Sequence, residues 1–229
     1  MVFIIQKAQL IQMEKILRGM INTMNSVKPP RITALRELRE AESGGPLSIL
    51  IGTILSARTR DENTSIVVKK LFVKYKTARS LGKAKVSDVE KIIKSTGFYH
   101  VKARRIIEVA SLIDSQYSGK VPDSLDELLK LPGVGRKTAN CVLVYAFDKP
   151  AIPVDTHVHR ISNRLGLVKT KTPEETEFAL IEKIPKKYWL KINDVFVMYG
   201  QNICKPISPM CSVCQIKKEC NYYKTRFSS

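Results

Sequence analysis

The sequence predicts an all-α fold of roughly ten helices, and three observations predict it. Apolar residues recur at three- and four-residue spacing along nearly the whole chain. Helix-capping patterns of the Ser/Thr-x-x-Glu kind stand ahead of several of those runs. No segment alternates apolar and polar residues over the length of a strand. With 229 residues, 44% of them hydrophobic, the chain can bury a sizeable core as one large domain or two small ones.

The first helix is predicted over IIQKAQLIQMEKIL, where Gln, Lys and Glu interrupt the apolar residues as an amphipathic helix requires and a signal peptide does not. The run VKPP ends it. Gly44, Gly45 and Pro46 then start a buried helix, LSILIGTILSA, and DENTSIVVKKLFVKY follows as another. Three further starts are read from Ser87 with Glu90, Ser124 with Glu127 and Thr172 with Glu175, the last with Pro173 in the first helical position. The longest apolar stretch falls well short of the ~20 residues that span a bilayer, so no membrane segment is expected. A cytoplasmic location follows, with the nucleoid if the source is prokaryotic, and reduced cysteines.

Lysine and arginine total 39 against 21 acids, a formal charge of +18. Such a surplus calls for a polyanionic partner, nucleic acid first and an anionic membrane second. Two stretches, VEKIIKSTGFYHVKARRIIEVA and LDELLKLPGVGRKTANCVLVYA, each read as helix, glycine turn with cations, helix. They suggest two hairpins of one design facing the same polymer.

In LPGVG, Pro132 stops a helix near Leu131, and Gly133 and Gly135 permit positive φ. The backbone N–H groups of Gly133, Val134, Gly135 and Arg136 can then form a nest for a phosphate, read by shape. Lys137 follows at the mouth of the next helix, where a helix dipole, Arg136 and partial burial all disfavour its charge. A fall from ~10.4 to about 7–8 would make it a nucleophile. A phosphate contact is the competing role.

Asp155, in FDKPAIPVDTHVHRISNRLG, is placed to cap the helix that begins at Thr156. A capping carboxylate is rigid and ionised, so it can also steady a cationic sugar or organise a proton transfer. His157 and His159, two apart on a helix, face different ways and do not form a metal pair. Cys204, Cys211, Cys214 and Cys220 stand in the spacing C-x6-C-x2-C-x5-C. Four thiols in a reduced chain indicate a metal site, zinc or an iron–sulfur cluster. Cys141, mid-helix, reads as a small core residue.

The order LPGVGRKTANCVLVYAF, then VDTHVHRISNRLGL, then the four cysteines resembles the endonuclease III family of the helix-hairpin-helix DNA glycosylase superfamily, over about residues 46 to 220. The resemblance implies two helical lobes with a cleft between them. One lobe, of six helices, spans 46–149 and contains the hairpin at about 124–147. The other, 1–45 plus 150–229, carries a C-terminal cluster loop at 204–220. It further implies a [4Fe-4S] cluster on Cys204, Cys211, Cys214 and Cys220, Lys137 as nucleophile and Asp155 as catalytic carboxylate. The implied activity is a monomeric base-excision repair enzyme. It acts as a DNA N-glycosylase on oxidised pyrimidines and as a lyase at abasic sites, with damaged or abasic double-stranded DNA as substrate.

Two positions depart from the family pattern. Arg58 stands in LSARTRDENT where relatives commonly carry glutamine, and Phe98 in TGFYHVKARR where a leucine wedge is expected. An arginine can bond the orphaned base or a phosphate and an aromatic can intercalate, so both remain candidate DNA-binding residues. The competing placements are a core Phe98 and an idle surface Arg58. Two other functions remain open at this point: a mismatch-specific glycosylase without lyase chemistry, and a non-enzymatic zinc-containing DNA-binding protein.

Overall fold

A computed structural model describes residues 2–27, 30–41 and 45–227, with side chains from residue 12 onward. In chain order the helices are α1 (Val2–Asn25), α2 (Ala34–Glu40), α3 (Pro46–Ser56), α4 (Asp61–Lys74), α5 (Ala78–Gly82), α6 (Val86–Ile93), α7 (Tyr99–Gln116), α8 (Leu125–Leu129), α9 (Arg136–Phe147), α10 (Thr156–Leu165), α11 (Pro173–Lys183), α12 (Trp189–Asn202) and α13 (Asn221–Phe227). Two short 3-10 turns, Lys186–Tyr188 and Lys217–Glu219, complete the set, and the described residues contain no strand. The chain divides into two compact units, one of Met1–Ile32 with Pro150–Ser229 and one of Thr33–Lys149.

The contiguous unit holds α2 to α9 and is built around α3. This helix starts at Pro46 behind Gly45, and its residues from Ser48 to Leu55 are all buried. A helix buried on every side needs neighbours all round, and α2, α4, α7 and α9 supply them. The division expected at residue 46 therefore falls at 33. Leu35 and Leu38 of α2 are buried, and α2 packs on α3 and α4, which binds it to this unit. Eight helices stand among its described residues where six were expected.

The other unit is made from both chain ends. Met13, Ile16, Leu17, Met20 and Met24 of α1 share a core with Val158 and Ile161 of α10 and with Ile192, Phe196 and Tyr199 of α12. Beyond α12 the chain returns to α1: the Gln215 N–H donates to Thr23 Oγ1 at 3.1 Å, and Lys15 pairs with Glu219. The expected first helix thus runs to Asn25. The Lys28–Pro29 part of the break after it lies outside the described residues.

Two of the three expected caps are in place. Ser124 accepts from the Glu127 N–H, and Thr172 accepts from the Glu175 N–H ahead of Pro173. Ser87 is not a cap. The Asp88 and Val89 N–H groups already donate to Lys85 O, so α6 begins one residue before Ser87, and Glu90 bonds to the His100 ring instead. Cys141 is buried, as expected of a core residue.

Because Leu50 is wholly buried in α3, Leu50→Ala should destabilise the protein by ~2–5 kcal/mol, the range for a cavity in a packed core. A thermal melt checks this, and a loss below about 1 kcal/mol would mean that α3 does not organise its unit.

Candidate functional site

Of the two glycines expected to allow positive φ in the hairpin between α8 and α9, only Gly133 uses it; Gly135 is extended, with φ −91°. Gly133 adopts φ +70°, and a Cβ there would run into the Arg105 guanidinium. Val134 is buried, with its N–H donating to Leu131 O at 3.1 Å, so the turn is anchored by its one apolar residue. Gly135 is the N-cap of α9 and has no side chain to satisfy the first-turn N–H groups. Its own Cβ position meets nothing within 4 Å. Arg136 and Lys137 are the first two residues of α9, both half-buried. The positive end of the helix dipole, two cations and an uncapped backbone therefore coincide.

In the same unit, Arg58 and Phe98 are both exposed, Phe98 at 61%. A core placement for Phe98 is thereby excluded. The Arg58 guanidinium lies over the Phe98 ring, 5.3 Å from its centroid. Both residues adopt left-handed φ, 54° and 59°. Non-glycine residues keep such a conformation only where their surroundings hold them in it.

In the unit of the chain ends, Asp155 is the N-cap of α10. Its Oδ1 accepts from the His157 N–H at 2.9 Å and the Val158 N–H at 2.8 Å. Two bonds on one oxygen fix the carboxylate and leave Oδ2 outside the cap. The two histidine rings have different partners: Nδ1 of His157 lies 3.1 Å from Arg160 Nη2, and Nδ1 of His159 lies 2.7 Å from Thr176 Oγ1.

Cys204, Cys211, Cys214 and Cys220 line one cavity, none of them in a disulfide. Among the described residues no three His, Cys, Asp or Glu side chains converge closely enough to hold a single ion. Four thiols lining one cavity are a donor set that fits either a zinc ion or an iron–sulfur cluster. Burial pushes the Cys211, Cys214 and Cys220 thiols up, and for Cys211 the neighbouring thiolates push it further.

Three residues that hold this loop were not singled out from the sequence. Arg160 Nη2 donates to Gly200 O and Cys204 O, at 3.2 and 2.9 Å. One turn on, Arg164 donates to Cys204 Sγ at 3.3 Å, Lys205 O at 2.7 Å and Pro206 O at 2.8 Å. Tyr199 Oη donates to Cys214 Sγ at 2.9 Å. The four-residue spacing of the arginines on a helix next to a cysteine loop was the available signal.

A helix hairpin that grips backbone phosphate by shape, in a wholly helical chain, is the framework of the helix-hairpin-helix DNA glycosylases of base excision repair. The chain belongs to the HhH-GPD superfamily of base excision DNA repair proteins, whose family model matches residues 51–186. It is similar to endonuclease III of Thermotoga maritima (54% identity over 188 residues, 82% of this chain and 88% of the relative). Endonuclease III of Bacillus subtilis is 40% identical, over 79% of this chain and 83% of the relative. Among solved structures, a trapped endonuclease III–DNA covalent intermediate in an estranged-adenine complex matches with a TM-score of 0.81 at 36% identity, covering 94% of this chain and 97% of that one. A thermostable thymine-DNA glycosylase matches at 0.79 and 27% identity, over 96% and 98%. No helix among the described residues is long and apolar enough to cross a membrane.

If the uncapped start of α9 receives a phosphate, Gly135→Asp should separate stability from binding. The aspartate has open space and would cap α9 itself, so stability should hold or rise by a few tenths of a kcal/mol in a thermal melt. Affinity for undamaged duplex should fall, and its steep dependence on salt should flatten. Unchanged affinity in a titration at two salt concentrations would remove the hairpin from the interface.

Proposed function

We propose that the protein is a bifunctional DNA N-glycosylase that removes oxidised pyrimidines from double-stranded DNA and cleaves the resulting abasic site by β-elimination. The observation that carries this reading is Lys137 as the second residue of α9, directly behind the uncapped hairpin. The target base is extruded from the stack, since its sugar cannot be reached inside a duplex. Unprotonated Lys137 Nζ attacks C1′, and the bond from C1′ to the base breaks with its electron pair leaving on the base. Loss of a proton from nitrogen and opening of the sugar give a Schiff base. The imine acidifies the C2′ proton; its removal expels the 3′ phosphate, and water then releases the lysine. Asp155 steadies the cationic sugar and organises the proton transfers, as a fixed carboxylate can.

The hairpin of Gly133, Gly135 and Arg136, anchored by the buried Val134, holds a phosphate of the strand, and Arg58 and Phe98 fill the gap left by the extruded base. Cys204, Cys211, Cys214 and Cys220 hold a [4Fe-4S] cluster, which when bound cross-links its loop and takes no part in a reaction that moves no net electrons. Lys217 and Lys218, on the 3-10 turn of that loop, contact phosphate. The protein acts in the cytoplasm, at the nucleoid in a prokaryote, and as a monomer.

The thymine-DNA glycosylase likeness favours a second reading, a mismatch-specific enzyme without lyase chemistry. The fold serves both activities, and a lysine at position 137 supports the lyase. Borohydride reduction during turnover separates them, because only an imine is captured as a stable amine. The parent protein should cross-link to duplex containing one abasic site, and Lys137→Gln should bind the DNA but form no adduct. Efficient trapping by Lys137→Gln would assign the nucleophile elsewhere. Asp155→Asn keeps most of the cap and should cost no more than ~1 kcal/mol of stability while slowing cleavage strongly. Cleavage at the parent rate would leave Asp155 a cap only. The purified protein should be yellow-brown and contain iron and sulfide; a colourless protein with stoichiometric zinc would overturn the cluster assignment.

A further inference from the structure

The loops that carry Arg58 and Phe98 are joined through one residue that the chemistry does not use. Lys102, in the first turns of α7, is 7% exposed. Its backbone N–H donates to Phe98 O at 3.1 Å. Its ammonium reaches the other way and donates to Leu55 O at 2.8 Å, Ala57 O at 2.7 Å and Thr59 Oγ1 at 2.9 Å. Three N–H donors meet three acceptors, so the group is fully used.

The placement of those acceptors matters. They fall at 55, 57 and 59, on both sides of Arg58. Leu55 and Ala57 belong to the C-terminal end of α3, where carbonyls lack helical partners and a cation is favoured. The same loops meet twice more. Asn63 Nδ2 donates to Ser95 O at 2.7 Å while Ser95 Oγ donates to Asn63 Oδ1 at 2.9 Å. At Gly97 a Cβ would stand 2.9 Å from Arg58 O, so only glycine permits the approach. Burial lowers the Lys102 pKa to about 8, which still leaves the third proton in place at neutral pH. The amine is not a rival nucleophile, because it is buried and its protons are all engaged.

We propose that Lys102 is a positioning residue that locks the Arg58 and Phe98 loops into a single preformed wedge, so that both side chains enter the duplex together. The inference rests on the gap-filling role given to Arg58 and Phe98 above. A wedge ordered in advance pays no ordering cost when it inserts, so base extrusion is faster than with two independent loops. Lys102 touches neither substrate nor reacting atoms, so bond cleavage on an already unstacked substrate does not depend on it.

The test compares Lys102→Met, Thr59→Val, Phe98→Ala and the double variant Lys102→Met/Phe98→Ala. Unstacking is followed by stopped-flow fluorescence of 2-aminopurine beside a damaged pyrimidine in duplex DNA. Single-turnover cleavage is measured on that duplex and on single-stranded abasic DNA, with folding checked by thermal melts. Lys102→Met should slow unstacking about tenfold or more and leave single-strand cleavage within about twofold. Thr59→Val, which removes one of the three acceptors, should act in the same direction with a smaller loss. The double variant should be no slower than Phe98→Ala by more than about twofold, because both changes disable one wedge. Equal losses on both substrates, an unchanged unstacking rate for Lys102→Met, or multiplying losses in the double variant would overturn the proposal. If Lys102→Met does not fold, an unchanged unstacking rate for Thr59→Val overturns it instead. Phe98→Ala distinguishes the two levels: an effect there with none at Lys102 sinks the positioning role alone, and no effect at Phe98 sinks the gap-filling reading beneath it.

Discussion

Every α-helix ends with backbone groups that its own hydrogen bonds cannot satisfy, and three such ends in this protein are treated in three different ways. The start of α9 has a glycine for a cap, which leaves partial positive charge facing outward beside two cations. The start of α10 is closed by Asp155, which spends one oxygen on two N–H groups. The end of α3 is closed by the ammonium of Lys102. The first arrangement suits an anion, the second fixes an anion, and the third freezes a loop. Local backbone chemistry thus sets the charge and rigidity that each region offers a DNA substrate.

Electrostatics of the opposite sign organise the cysteine loop. Arg160 and Arg164 are spent on carbonyls of the segment that follows α12, and Arg164 also meets Cys204 Sγ. Tyr199, whose ionisation burial disfavours, keeps its proton and donates a hydrogen bond through it to Cys214 Sγ. The Tyr199 bond offsets only part of the burial that pushes the Cys214 thiol up. Together these bonds tie the loop to α10 and α12.

Much of this was legible in the sequence because it depends on local rules. Gly133, Gly135 and Lys137 mark a turn and a helix mouth whatever surrounds them, and Asp155 before Thr156 is a cap by spacing alone. The Ser87 pattern misled because Ser/Thr-x-x-Glu can also sit one residue inside a helix, and only the bonds from Asp88 and Val89 to Lys85 decide the matter. The boundary at 33 was hidden for another reason: α2 belongs where Leu35 and Leu38 are buried, and a run of seven residues does not show its partner. Lys102 was the least visible. In sequence it is one cation among 39 lysines and arginines, and its importance comes from acceptors more than forty residues away.

The pairing of both chain ends in one unit also bears on how the protein is made. Residues 33–149 are contiguous in sequence, whereas α1 is synthesised ahead of them and shares its core with α10 and α12, which come after them. Met13, Ile16, Leu17, Met20 and Met24 therefore remain without their packing partners through most of translation. At ~5–20 residues per second, the interval between α1 and α12 lasts roughly 8 to 33 seconds on the ribosome. During that time the apolar face that α1 contributes must wait for α10 and α12 before its core can close.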